Sequence, residues 1–248
     1  MCPTKEMLLL LVAFVSCAEA ENYCVRGLCP KGTSHIACNN KGTFGSSCPA
    51  NATIIPLAQK DKDFVIQAHN SLRSKWASGQ GRIQRTACKM ASMEWDEELA
   101  GLAELNVKSC QMKHDSCHNT EEFVQSGQNL FMVGYFGSGD PATTEDVFSE
   151  GINEWIDEDA AVTEEDLQKF PEPVEGQEIG HFTVLVNENN VAVGCAMVTF
   201  YLDDIEYFLV ACNYAVTNTL GRRVYSSCPV AGIQCPNGLD DKFTSLCV

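Results

Sequence analysis

The chain predicts an α+β fold, because apolar residues recur at helical spacing through its middle and then give way, near residue 181, to β-branched and aromatic runs. A hydrophobic share of 45% over 248 residues is enough to fill a sizeable core. Twelve cysteines beyond residue 20, an even number, predict that disulfides brace that core.

The elements follow in order. Lys5 precedes an apolar run over residues 7–15, and Ala18-Glu19-Ala20 supplies the small residues of a cleavage site, so residues 1–20 are expected to be a signal peptide. That run is about half the roughly 20 residues that span a bilayer, and no other segment approaches this length, so no membrane span is expected. Residues 21–60 are rich in Cys, Gly, Asn and Pro without a period of 2 or 3.6, which predicts an irregular segment held by disulfides. It carries the sequon Asn51-Ala52-Thr53, a candidate glycosylation site at Asn51.

A helix is expected from near Asp61, with Phe64, Ala68, Leu72 and Trp76 on one stripe and Gly79 ending it. A second starts at an Asp96 cap, with Glu97 and Glu98 at its positive end and Leu99, Leu102, Ala103 and Leu105 inside. A third is capped by Thr143, carries Glu145 and Asp146 in its first turn, and buries Phe148, Ile152 and Trp155. Residues 181–186, 191–201 and 207–214 read as an antiparallel meander. The expected organisation is a domain over 61–218 and a Cys-containing irregular tail over 219–248.

Charge narrows the partners. With 33 acids against 17 Lys and Arg the formal net charge is −16, which repels phosphate backbones, other polyanions and anionic lipid and excludes nucleic acid. From Asp140 to Glu178 there are 14 carboxylates and one base, Lys169, the pattern of a solvated face with no glycine-turn calcium loop. The cysteines include no Cys-x-x-Cys pair of the kind zinc clusters favour, so disulfides in an oxidising, extracellular compartment are the expectation.

Four ordered patterns carry a resemblance: His69-Asn70-Ser71-Leu72-Arg73, Gly127-Gln128-Asn129-Leu130, Gly180-His181-Phe182-Thr183, and Phe208-Leu209-Val210-Ala211-Cys212-Asn213-Tyr214. Together the chain resembles the CAP superfamily of cysteine-rich secretory, antigen 5 and pathogenesis-related 1 proteins. Asn22-Tyr23-Cys24, His35-Ile36-Ala37-Cys38 and His114-Asp115-Ser116-Cys117 bring it nearest the insect antigen 5-like, venom allergen-like branch. The resemblance implies a three-layer α-β-α sandwich. It also implies the bridges Cys24–Cys38, Cys29–Cys117, Cys48–Cys110 and Cys195–Cys212, leaving Cys88, Cys228, Cys235 and Cys247 with three pairings.

In that superfamily two histidines and two glutamates line an open cleft. Their positions fall here on His114, Glu158 and His181, with Gln128 where the fourth, a glutamate, would stand. Two imidazoles and a carboxylate suit a divalent ion such as zinc, although an amide is a poor ligand, so no cofactor is expected to be required. His69 is expected to be a buried hydrogen-bonding residue, and His35 and His118 to serve their stapled loops. There is no Gly-x-Ser-x-Gly elbow and no His-Glu-x-x-His, so no enzyme is expected.

The function expected is a secreted binding or signalling protein with an extracellular protein partner, and the resemblance to the insect branch implies saliva, venom or a reproductive secretion as its setting. One alternative is a carrier of a small lipid, sterol or fatty-acid-like, in a groove bordered by Phe64, Leu72 and Trp76. Another is metal-dependent hydrolysis or redox chemistry at His114, Glu158 and His181. Arg26-Gly27 is followed by Leu28, so an integrin-binding Arg-Gly-Asp is missing.

Overall fold

A computed structural model describes residues 22–136 and 141–248. The expected signal peptide over 1–20 lies outside them, and no helix among the described residues is long and apolar enough to cross a membrane. The elements are β1 (Thr53–Ile55), α1 (Gln59–Ala77), β2 (Glu94–Trp95), α2 (Glu97–Val107), β3 (Gly127–Phe136), α3 (Thr144–Asp157), α4 (Glu164–Gln168), α5 (Gly180–Leu185), β4 (Ala192–Leu202) and β5 (Ile205–Tyr214).

The sheet runs β1-β4-β5-β3, antiparallel throughout, with the two-residue β2 added parallel to β4. Strand alternation builds two cores from one sheet. Val193, Cys195, Met197, Val210 and Cys212 face α1, α3 and α5, whereas Ala196, Val198, Leu209 and Ala211 face Ala103 and Val107 of α2. The result is a three-layer sandwich. Helix α2 sits close because Gly194 has no side chain: a Cβ there would come within 2.2 Å of the Ala100 nitrogen and 2.4 Å of the Asp96 carbonyl oxygen.

The caps read from the sequence organise the helices. Asp96 accepts from the Leu99 N–H, and Thr143 and Asp146 form a reciprocal capping box that opens α3. Helix α1 starts two residues before Asp61, whose carboxylate accepts from the Ala58 N–H, and Gly79, at φ +80, follows its end.

Several expectations need correction. Residues 181–186 are not a strand: α5 occupies Gly180–Leu185, a short apolar run in which periods of 2 and 3.6 are indistinguishable. The missing strand is β3, read from the sequence only as a motif, which pairs with β5 from Gly127↔Tyr214 to Phe136↔Ile205. The segment before residue 56 is not wholly irregular, since β1 pairs Ile54 with Val198. The buried face of α1 is Val65, His69, Leu72 and Trp76, rotated from the expected stripe, so Phe64 and Ala68 are only half-buried. Leu105 of α2 is likewise half-buried. Leu72 and Trp76, placed above as borders of a lipid groove, are core residues, and Trp76 meets Phe182 edge-on with ring centres 4.8 Å apart.

Six disulfides brace the body. Cys29–Cys117 and Cys48–Cys110 hold the amino-terminal segment against the loop after α2, Cys24–Cys38 closes that segment on itself, and Cys195–Cys212 joins facing residues of β4 and β5. Cys88–Cys228 and Cys235–Cys247 resolve the three pairings left open and fix the carboxy-terminal tail. Asn51 is exposed, and its side-chain amide bonds both the N–H and the carbonyl of Tyr201.

Polar groups buried on α1 join the helical layer. Arg73 is fully buried and donates five hydrogen bonds to four carbonyls, those of Ala91, Leu185, Asn187 and Asn190, at 2.6–3.0 Å. Asn70 exchanges two bonds with the backbone of Met93. His69 donates from Nδ1 to the Val65 carbonyl at 2.7 Å, so its Nε2 accepts from the Tyr214 hydroxyl at 3.0 Å.

Burial, with the neighbouring Arg73 charge, pulls the His69 pKa down to about 4. The unfolded chain takes up this proton near pH 6.5 and the native one only near pH 4, so acid favours unfolding across that window by about 3 kcal/mol. Urea unfolding is expected to show stability falling more steeply between pH 6.5 and 4 in the parent than in His69→Gln. Parallel curves for the two would refute this assignment.

Candidate functional site

Four loops and helix ends converge on an open cleft of about 640 Å³, whose walls include His114, Gln128, Glu158, Glu178 and His181. Glu158 sits where α3 passes into a 3-10 turn, Glu158–Ala161. His181 is the second residue of α5, Gln128 the second of β3, and His114 lies in the loop anchored by Cys110 and Cys117.

The Glu158 carboxylate clamps the start of α5. Its Oε1 lies 2.6 Å from His181 Nδ1, and its Oε2 accepts from the Phe182 N–H at 2.9 Å. A carboxylate accepts, so Nδ1 carries a proton, and in the neutral ring Nε2 is the nitrogen that offers a lone pair. The ring stacks on Trp155, whose indole N–H donates to the Leu130 carbonyl. The His181 carbonyl accepts from Asn129.

His114 is set by a chain of amides. Asn213 donates from Nδ2 to the Leu99 carbonyl, so its Oδ1 faces Gln128 Nε2 at 2.9 Å. Gln128 Nε2 also donates to Asp115 at 2.8 Å, which turns its Oε1 to His114 Nδ1 at 2.9 Å. An amide oxygen only accepts, so His114 too holds its proton on Nδ1 and offers Nε2. Burial pushes the Asp115 carboxyl up, but hydrogen bonds from His118, Gln128 and Asn106 outweigh it and hold the group below the usual carboxylate range. A glutamate at position 128 would set a second carboxylate against Asp115. The amide is what this network accommodates.

Glu158, Glu178 and His181 bring ligand atoms within 4.8 Å of one another; they are the one such group among the described residues. His114 also lines the cleft, outside that group and bonded to Gln128. Glu178 does not stand out in the sequence, where it is one of 14 carboxylates in an acidic stretch. Its position three residues before His181 is the only signal there. Asp166, Glu172 and Glu175 also line the cleft, so its field favours cations.

The histidines away from the cleft are engaged locally. His35 bonds the Asn119 carbonyl and accepts from the Ala37 N–H, and its ring stacks on Tyr23. His118 lies between Asp115 and the Gly127 carbonyl. Thr183, assigned to a strand above, is in α5 and donates to the Ile179 carbonyl.

A cleft of this kind, on a disulfide-braced three-layer sandwich, agrees with the relatives of the chain. The model of the cysteine-rich secretory protein family, CAP, matches residues 66–214, and the chain belongs to that family. It is similar to venom allergen-1 of Aedes albopictus, 35% identical over 97% of this chain and 92% of that protein. It is also similar to the antigen 5 like allergen Cul n 1 of Culicoides nubeculosus, 34% identical over 78% of this chain and 90% of that protein. Among solved structures, the crystal structure of NaASP2 with Zn2+ superposes with a TM-score of 0.63 at 26% identity, covering 81% of this chain and all of the other.

Proposed function

We propose that this chain is a secreted, non-enzymatic antigen 5-like protein that acts by binding an extracellular partner, a protein or a small lipid, in a saliva, venom or reproductive secretion. The observation that carries this reading is the state of the two cleft imidazoles. Each is held at Nδ1 by a side chain that only orients it, Gln128 for His114 and Glu158 for His181. Hydrolysis by an activated nucleophile needs a hydroxyl or thiolate paired with such a base. Each described cysteine is in a disulfide, and Thr183 is committed to backbone carbonyls. Similarity to a venom allergen and an antigen 5 like allergen supports the secretory setting. Incubation with ester and peptide substrate panels is expected to give blank rates, with and without zinc, while labelled protein binds target tissue saturably. Turnover lost in Glu158→Gln would overturn the proposal.

A second reading is favoured by the clustering of Glu158, Glu178 and His181 and by the Zn2+ present with NaASP2 in its crystal structure. The donor set fits a divalent ion such as zinc: His181 offers Nε2, Glu178 a free carboxylate, and Glu158 orients the imidazole from behind. An ion held there would supply charge to fix an anionic group of a partner. Titration of metal-free protein with zinc is expected to show one site, weakened about tenfold or more in Glu178→Gln. Equal affinity in the two proteins would remove Glu178 from the site.

A further inference from the structure

A second pocket adjoins the cleft and differs from it in charge. It encloses about 670 Å³ and shares Phe170, Thr217 and Asn218 with the cleft as a common wall. No carboxylate lines it, in a chain where acids outnumber bases 33 to 17, and two of its walls are Arg222 and Arg223. The rest of its polar lining is amides and hydroxyls, among them Gln125, Asn187, Asn189 and Thr219.

The backbone carrying the arginines is held on both sides. A turn from Thr219 to Arg222, closed by the Arg222 N–H on the Thr219 carbonyl, uses Gly221 at φ +71, a conformation that favours glycine. Phe170 then exchanges bonds with Gly221 and Arg222, Val224 donates to Leu167, and Glu188 donates to Val224. Both guanidinium groups are exposed, and among the described residues neither they nor the side-chain amides of Gln125 and Asn189 have a hydrogen-bond or ion-pair partner. These are donors on a fixed frame at the pocket's edge; Arg223 also borders a smaller pocket that Glu164 and Arg85 line, where Glu164 is paired with Arg85.

We propose that this pocket binds a small ligand bearing one phosphate or sulfate group on a polar, hydroxyl-rich body. Guanidinium groups match tetrahedral oxyanions, and the amides and hydroxyls around them match neutral polar groups of the ligand. Net charge sets the size. Each added anionic group works against a formal charge of −16, and Glu172, Glu175 and Glu178 across the shared wall repel any anion that extends into the cleft. A single oxyanion on a compact body satisfies both limits, whereas a polyanion does not.

The test is calorimetry at low salt on the secreted protein with glucose 6-phosphate, glucose 6-sulfate, inorganic phosphate and glucose. Both sugar esters are expected to bind one to one, glucose not at all, and inorganic phosphate more weakly than the phosphate ester. Arg222→Gln with Arg223→Gln is expected to lower ester affinity about tenfold or more, while Glu158→Gln with Glu178→Gln, which tests the cleft reading separately, does not weaken it. Amide NMR shifts in the parent protein are expected at residues 217–224, a readout that stands even if the double variant melts early. No saturable heat from either ester, undiminished affinity in the arginine variant, or shifts confined to the cleft overturns the proposal. Inorganic phosphate binding as tightly as the ester overturns the role given to the amide wall.

Discussion

The buried guanidinium of Arg73 is the constraint on which the helical layer depends. Taking a cation out of water costs several kcal/mol, and no carboxylate stands within 4.0 Å of it among the described residues. Its compensation is four backbone carbonyls drawn from the segment before β2 and from the end of α5 and the loop after it. Burial pulls its pKa down to about 9, which still leaves it charged at neutral pH. Those carbonyls are at a helix terminus or in loops; that of Asn187 also accepts from the Asn190 N–H, and the cation supplies donors to the chain ends around it. A rearrangement of α5 would strand both.

From that anchor the cleft follows. Arg73 fixes the end of α5, Glu158 fixes its start, and between them His181 is set with Nε2 outward. The opposite wall is set by β3, where Gln128 transmits the orientation of Asn213 to His114. Both walls are therefore determined by buried polar contacts, while the rim is left to exposed acids. Beyond the shared wall of Phe170, Thr217 and Asn218 the lining changes from carboxylates to arginines and amides. A protein acidic as a whole thus presents adjacent surfaces of opposite sign.

Much of this is legible in the sequence where local chemistry decides structure. The Asp96 and Thr143 caps and the order of helices before strands β4 and β5 follow from side chains acting within a turn or a strand of themselves. What escapes is decided at long range. The run at His181 is helical because Arg73 and Glu158 hold its two ends, and nothing within residues 181–186 reveals either partner. Strand β3 is recruited by β5 across about 80 residues of chain. The motif at His69, Asn70 and Arg73 is visible, but its role is not. All three side chains are buried to bond backbone or Tyr214, and none touches the cleft. Glu178 joins the candidate ligands only when folding sets it beside His181.

The most direct test is urea unfolding of Arg73→Lys at pH 7, followed in parallel by the imidazole NMR signals of His181. An ammonium keeps the charge but is a compact three-donor group that does not reproduce the planar five-bond fan to four carbonyls. A loss of about 3 kcal/mol is predicted, with His181 signals displaced in the folded variant. A loss below about 1 kcal/mol with His181 unmoved would contradict this central role, because the helical layer and the cleft would then be held by something other than the guanidinium.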